Sequence, residues 1–462
     1  MTAGPARDRV PVAETLAAWG TGPLDPPAEV RRAAVRHLLD GLGTALGGLR
    51  AGAVAPVVAV ARGLGGPPEA TLLGSDARVG APAAALASGA LVHALDFDDT
   101  HAGGLVHATA VVLPAALAVG EQVGASGRDV LTAAVAGYET ACRVAAAAPH
   151  GFHARGLHAT MAAGVFSSAL VAARLMGLDA ARATDALGIA GSQAGGLLAF
   201  LHTGASTKQL HPGFASHAGI LAARLAAAGA SGPATVFDGP HGVFDALATG
   251  AVHPESIVEG LGERWETTRI GIKPYPACQL AHAALDAVRD ARRREGFAAA
   301  DVVAVDVDVH PDSAPTVCDT RRDLARPATP YAAKFSLPWS VAAMLVDGDV
   351  TIATYDPASI ARPEVEALAR TVTWTVTPHG GRPAADAPGA ARVTLADGRV
   401  VTGAVRRSAG GPDTPLSDEQ LDAKVRGNAG PAAGALIAAT RALDELPSLA
   451  PLLAAAKVRI EP

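Results

Sequence analysis

Lysine is scarce in this chain, with five residues against thirty-three arginines in 462 positions. Cysteine is scarcer still: Cys142, Cys278 and Cys318 are far apart and odd in number. That excludes a disulfide framework, fits a reducing cytoplasm, and offers no iron–sulfur spacing. The formal net charge is −6 and no basic run or aromatic-rich basic stripe occurs, so nucleic acid is not an expected partner. No apolar run reaches the roughly 20 residues of a membrane span. The stretch 159–173 stops at 15 residues between His158 and Arg174, and 102–120 is interrupted by His107, Pro114 and several glycines. Residues 1–9 lack the apolar core of a secretion signal. A dinucleotide fingerprint, a phosphate-binding P-loop and a G-x-S-x-G elbow are all missing, so no cofactor and no metal is expected. These absences describe a globular cytoplasmic protein that acts on a small molecule.

What is present supports a large core: 49% of residues are hydrophobic and 18% charged. A chain of this length exceeds one ordinary core, so two domains are expected. From residue 26 to 229 the pattern is helical. Pro27 stands at a first turn, and apolar residues return at Val30, Ala34, Val35, Leu38, Leu39 and Leu42. Further helical stretches cover 82–95, 111–123, 128–148, 160–176, 180–192 and 214–227, with Gly, Pro or Asp at the breaks. After Lys273 the texture changes. Residues 302–309 and 372–376 alternate like strands, 391–405 reads as a hairpin turning at Asp397-Gly398, and helices are expected at 281–295 and 363–370. Helical pattern returns over 417–457. The expected fold is mainly α: a large all-α helical domain at 10–268, a smaller α+β lid domain at 269–410, and C-terminal helices at 411–462 that rejoin the helical domain.

Two of the rare lysines stand in polar, small-residue segments: Lys208 in GASTKQLHPGFASHAG and Lys273 in IGIKPYPACQLAHAALDA. A chain that makes its surface cations from arginine and places lysine there points to a site wanting a compact ammonium. The plain alternative is two surface lysines. A third segment, HALDFDDTHAGGLVHAT, gathers three carboxylates and three histidines in apolar surroundings. Asp96-Phe97-Asp98-Asp99-Thr100 can be read in three ways. As a phosphatase D-x-D-x-T it needs a buried strand before it, where 81–95 is an Ala-rich helical run. As a divalent-metal site it would draw on Asp96, Asp98, Asp99, His101 and His107, in a spacing that matches no metal motif. As an acid/base site it has Asp96 and Thr100 at i and i+4, on one face if the helix continues. Against all three stands a polar helix end with Asp98 and Asp99 capping a neighbour. Two more polar clusters, His150 to His158 and Lys208 to His211 with His217, favour a pocket for a polyanion. Lysine there would hold carboxylates, and histidine, with an ordinary pKa of about 6.5, would carry protons.

Together these segments resemble the MmgE/PrpD family over about 26–453. HALDFDDTH, RGLHATMAAGVF, STKQLHPGFASHAG, IGIKPYPACQLAHAALDA and YAAKFSLPWSVAAMLVDG occur in the family's order. The resemblance implies an all-α domain with an α+β lid, a homodimer, and proton chemistry beside a carboxylate without a cofactor. Members include 2-methylcitrate dehydratase, cis-aconitate decarboxylase and iminodisuccinate epimerase. By motif, His158, His107, Asp96 and Lys273 would be catalytic, while Thr100, Lys208, Cys278 and Trp339 would bind a di- or tricarboxylate. A hydro-lyase acting on a 2-methylcitrate-like substrate is the expected activity, with epimerisation or decarboxylation as alternatives. Three departures bear on this: Trp339 replaces a tyrosine, and Ala108 and Ala159 replace prolines that usually follow the two histidines.

Overall fold

In the computed structural model, residues 10–458 are described; the expectation about a secretion signal concerns residues 1–9 and lies outside them. The apolar residues sort into two cores. The larger takes mostly helix residues from Val12 to Ile272 and resumes at Leu416, while the smaller runs from Tyr275 to Val401 and adds Phe200. The chain therefore leaves the helical core for a lid of mixed structure and returns, with helix Asp418–Ala429 packed on helix Ala28–Arg50. No single helix among the described residues is long and apolar enough to cross a membrane.

The helical half is assembled around Ala81–His93, Thr109–Val123, Gly127–Ala146, Ala159–Leu175 and His211–Ala227. Several of these are buried on every side; all of Ala81–His93 is buried. Small residues make such packing possible, because helix axes approach only as far as their side chains permit. One close case is the crossing of Ala81–His93 with His211–Ala227. A Cβ on Gly89 would stand 2.6 Å from the backbone nitrogen of Gly213, so the two backbones touch. That contact carries the chain just after His93 against the turn that bears Lys208.

The lid holds a four-stranded sheet in the order Val372–Val376, Val302–Val309, Gly389–Leu395, Val400–Val405. The first pair is parallel and the other two antiparallel, with Val305 opposite Val372 and Val393. Helices His282–Glu295 and Leu337–Asp347 pack with this sheet in the second core.

Among helices of ten or more described residues, three escaped the periodicity reading: Val12–Thr21, Ala55–Leu64 and Leu337–Asp347. The expected helical face joining Asp96 and Thr100 does not form either. The helix stops at His93, Asp96 adopts φ 52°, and Thr100 enters a two-residue strand Thr100–His101 paired with Ile270–Gly271.

Candidate active site

Asp96 is the centre of the site. Its left-handed backbone, which aspartate tolerates better than most residues, turns both its carbonyl and its carboxylate toward the same lysine. Lys273 Nζ donates to Asp96 O at 3.0 Å and to Oδ1 at 2.9 Å, and Lys208 Nζ donates to the same Oδ1 at 2.7 Å. All three side chains are buried. The approach of Lys273 is set by the short strand pair: Thr100 lies opposite Gly271, two residues before the lysine. Burial opposes ionisation of Asp96, but the two ammonium groups outweigh it and hold the carboxyl well below the usual carboxylate range. Burial likewise opposes charge on Lys273, and Asp96 outweighs it, raising that ammonium's pKa.

The other two carboxylates of the acidic segment do different work. Asp98 accepts from His93 Nδ1 at 2.7 Å. Asp99 accepts from the backbone nitrogen of Thr109 at 3.1 Å and from its hydroxyl, at the start of helix Thr109–Val123. The plain polar-helix-end reading thus holds for Asp99, whose carboxyl is pushed up to about 7 by burial and then by Asp98. The metal set drawn from the sequence does not assemble as such, since His101 turns away to Glu266 at 3.0 Å.

Four imidazoles form one cluster beside Asp96. Ring centroids of His93, His107 and His158 are 4.7–5.7 Å apart, and His211 is 5.3 Å from His158. His107 Nδ1 donates to the Asp99 carbonyl at 2.7 Å, with the Thr100 hydroxyl 3.2 Å away. His158 immediately precedes helix Ala159–Leu175, and its Nδ1 meets His211 Nδ1 at 3.1 Å. Burial pushes His107 and His158 well below their ordinary value, and the nearby lysines add to the effect. At neutral pH both rings are therefore uncharged.

A cavity of about 460 Å³ opens onto this cluster. Asp96, His107, His158, Lys208 and Cys278 line it, together with the apolar Leu198, Leu201, Leu280 and Phe335. Lys273 stands one layer back, behind Asp96, and Thr100 reaches the site only through His107. Trp339 is not brought there. It is fully buried in the lid core with its ring 5.5 Å from that of Tyr355, so the substrate-facing wall expected of it is formed by other residues.

The sequence reading left His93 and His211 inside its polar clusters without a role of their own, and it missed Lys334. The Lys334 ammonium is buried, donates to Pro276 O at 2.7 Å, and lies 4.4 Å over the Tyr355 ring. Its backbone carbonyl accepts from Cys278 N at 3.0 Å, so it ties down the segment that carries Cys278. Burial lowers its pKa to about 7. The signal that could have found it was the scarcity of lysine itself.

Two family models match the chain: the MmgE/PrpD N-terminal domain over residues 17–255 and the MmgE/PrpD C-terminal domain over 275–444. The chain belongs to the MmgE/PrpD family. Among curated relatives of this member, the cis-aconitate decarboxylase of Aspergillus terreus is 30% identical over 428 residues, covering 88% of this chain and 86% of the relative. The cis-aconitate decarboxylase-like protein oryM of Aspergillus oryzae is 29% identical over 440 residues, 90% of each chain. The human cis-aconitate decarboxylase is 30% identical over 362 residues, 77% of this chain and 74% of that one.

Proposed function

We propose that this MmgE/PrpD protein is a lyase that removes CO2 from a cis-aconitate-type tricarboxylate by acid/base chemistry of its own side chains. The observation that carries the reading is the histidine cluster beside the Lys208–Asp96 pair on the cavity wall. The names of the relatives favour decarboxylation over dehydration.

Lys208 would hold one substrate carboxylate, with Lys273 and Asp96 behind it fixing the ammonium in place. Fixed charge of this kind, aimed where negative charge develops, stabilises a transition state far more in a dry site than it would in water. A polyanion entering beside neutral imidazoles raises their proton affinity, so binding is expected to be accompanied by proton uptake. The C–C bond to the departing carboxylate breaks and CO2 leaves. The electron pair stays on the carbon framework, delocalised toward a neighbouring carboxylate, and His158 or His107 delivers the proton that quenches it. The apolar residues of the cavity lining suit release of neutral CO2. As a family member the chain is proposed to work as a homodimer.

Dehydration of a 2-methylcitrate-like substrate is the second reading, favoured by the presence of two imidazoles, one to take a proton and one to protonate the leaving hydroxyl. Incubation with cis-aconitate, citrate, 2-methylcitrate and iminodisuccinate, followed by mass spectrometry, separates the readings. Loss of CO2 from cis-aconitate is expected. Loss of water alone would transfer the assignment to the hydro-lyase, and unchanged mass with altered chirality would transfer it to an epimerase.

A further inference from the structure

Three of the buried imidazoles are arranged more closely than delivery of one proton requires. One ring nitrogen from each of His93, His107 and His158 lies within 4.8 Å of those of the other two. In every ring Nδ1 is already engaged: by Asp98 Oδ2 at 2.7 Å, by the Asp99 carbonyl at 2.7 Å, and by His211 Nδ1 at 3.1 Å. The first two acceptors require an N–H at Nδ1, and that tautomer leaves a bare lone pair on Nε2. For His158 the same follows when it is the donor to His211. The Nε2 atoms of His93 and His158 are buried without any partner, and His107 faces the cavity. Histidines that bind metal ions characteristically give their other ring N–H to a carboxylate or a carbonyl, which fixes the tautomer and raises ligand basicity.

We propose that the Nε2 atoms of His93, His107 and His158 form a binding site for a borderline divalent transition-metal ion of the Zn²⁺ class, whose occupancy shuts the enzyme off. Three imidazoles at zinc–nitrogen distances of about 2.0–2.1 Å would be roughly 3.3 Å apart in a tetrahedral site. Ring nitrogens of the three residues come within 4.8 Å of one another, so the rings have to draw together and present Nε2 to the ion. Asp96 and Asp98 stand beside the cluster and offset Lys208 and Lys273, so the dication does not enter an unrelieved positive field. A nitrogen-rich set selects Zn²⁺, Co²⁺ or Ni²⁺ over Mg²⁺ and Ca²⁺, which require oxygen cages. The inhibition, unlike the binding, rests on the proposed acid/base role: a metal bound to Nε2 occupies the lone pairs that His107 and His158 would use on substrate.

Chelator-stripped protein is titrated with Zn²⁺ by calorimetry and with Co²⁺ by visible absorption. One ion per chain is expected, with the intense d–d bands of low-coordinate cobalt and no sulfur-to-cobalt charge transfer. His107→Gln and His93→Gln should abolish stoichiometric binding, and Asp98→Asn should weaken it about 10–100-fold. His107→Gln, at the cavity wall, serves if His93→Gln fails to fold by circular dichroism. Cys278→Ala should bind as wild type. The site is overturned if wild type takes up no stoichiometric ion, if both histidine variants bind undiminished, or if Cys278→Ala loses the ion. Turnover is read separately: stripped protein should be active and lose activity as Zn²⁺ saturates. A stripped protein that is inactive until Zn²⁺ is added would overturn the inhibition and the metal-independent mechanism while leaving the site standing.

Discussion

Removing the charge of Asp96 is the most informative perturbation, because one carboxylate oxygen serves two buried ammonium groups. At 2.7 and 2.9 Å and an effective dielectric near 20, each pair has a gross attraction of about 6 kcal/mol. Desolvation offsets much of that, and deleting one partner of a buried pair typically costs about 3–5 kcal/mol. Asp96→Asn should therefore lower unfolding free energy by about that amount and leave two unneutralised lysines side by side. Like charges about 5 Å apart at the same dielectric repel by about 3 kcal/mol. Adding Lys208→Met removes one of them, keeps the stem volume, and should return about 1–3 kcal/mol. The double variant is thus expected to be more stable than Asp96→Asn alone, a strong departure from additivity. Urea unfolding of wild type, both single variants and the double variant at pH 7.5 closes the cycle. Because Asp96 is depressed in the folded protein, its contribution is fully present there and is lost only as acid titrates it below its unfolded value of 3.8. A double variant as unstable as the sum of the two singles would refute the shared-counterion account.

The lysines should also matter for turnover: Lys208→Ala and Lys273→Ala each cut kcat/KM on the order of 100-fold, measured by product formation, and arginine at either position rescues poorly. Trp339→Tyr should leave the substrate preference ratio unchanged, since that side chain is sealed in the lid core; the phenol it introduces is buried and costs about 1–3 kcal/mol in urea unfolding. Lys334 has a folded pKa of about 7 against an ordinary value of 10.5, so the native state resists a proton that the unfolded chain accepts. Stability should rise with pH between those values, by up to about 1.4 kcal/mol per unit. Lys334→Met should flatten that slope in urea midpoints measured from pH 7 to 10, and an unaltered slope would contradict the assignment.

Much of the fold was legible because helix and strand periods are local. The strands Val302–Val309 and Val372–Val376 occur where alternation placed them, and helix Ala180–Gly191 ends within a residue of its expected bound. Leu337–Asp347 escaped because it is apolar on every side, which leaves no stripe to recognise. Ala55–Leu64 follows a Gly-rich break and repeats valine at positions that mimic neither period.

The site was legible as residue types but not as pairings. Scarce lysines and clustered histidines pointed to a polyanion pocket, the family resemblance placed Asp96, His107, His158, Lys208 and Cys278 in it, and these five line one cavity. The order of the family motifs likewise identified the family from sequence alone. Only the tertiary structure decided that Lys208 and Lys273 share Asp96, that Asp99 serves a helix end, that Lys334 belongs near the site, and that Trp339 does not face it. These outcomes depend on where backbones cross, at Gly89 against Gly213 and at Thr100 against Gly271. A sequence records which groups carry charge and hydrogen-bonding capacity. Which buried charge neutralises which is set by distances of a few ångströms between segments more than a hundred residues apart, and those distances exist only once the helices have packed.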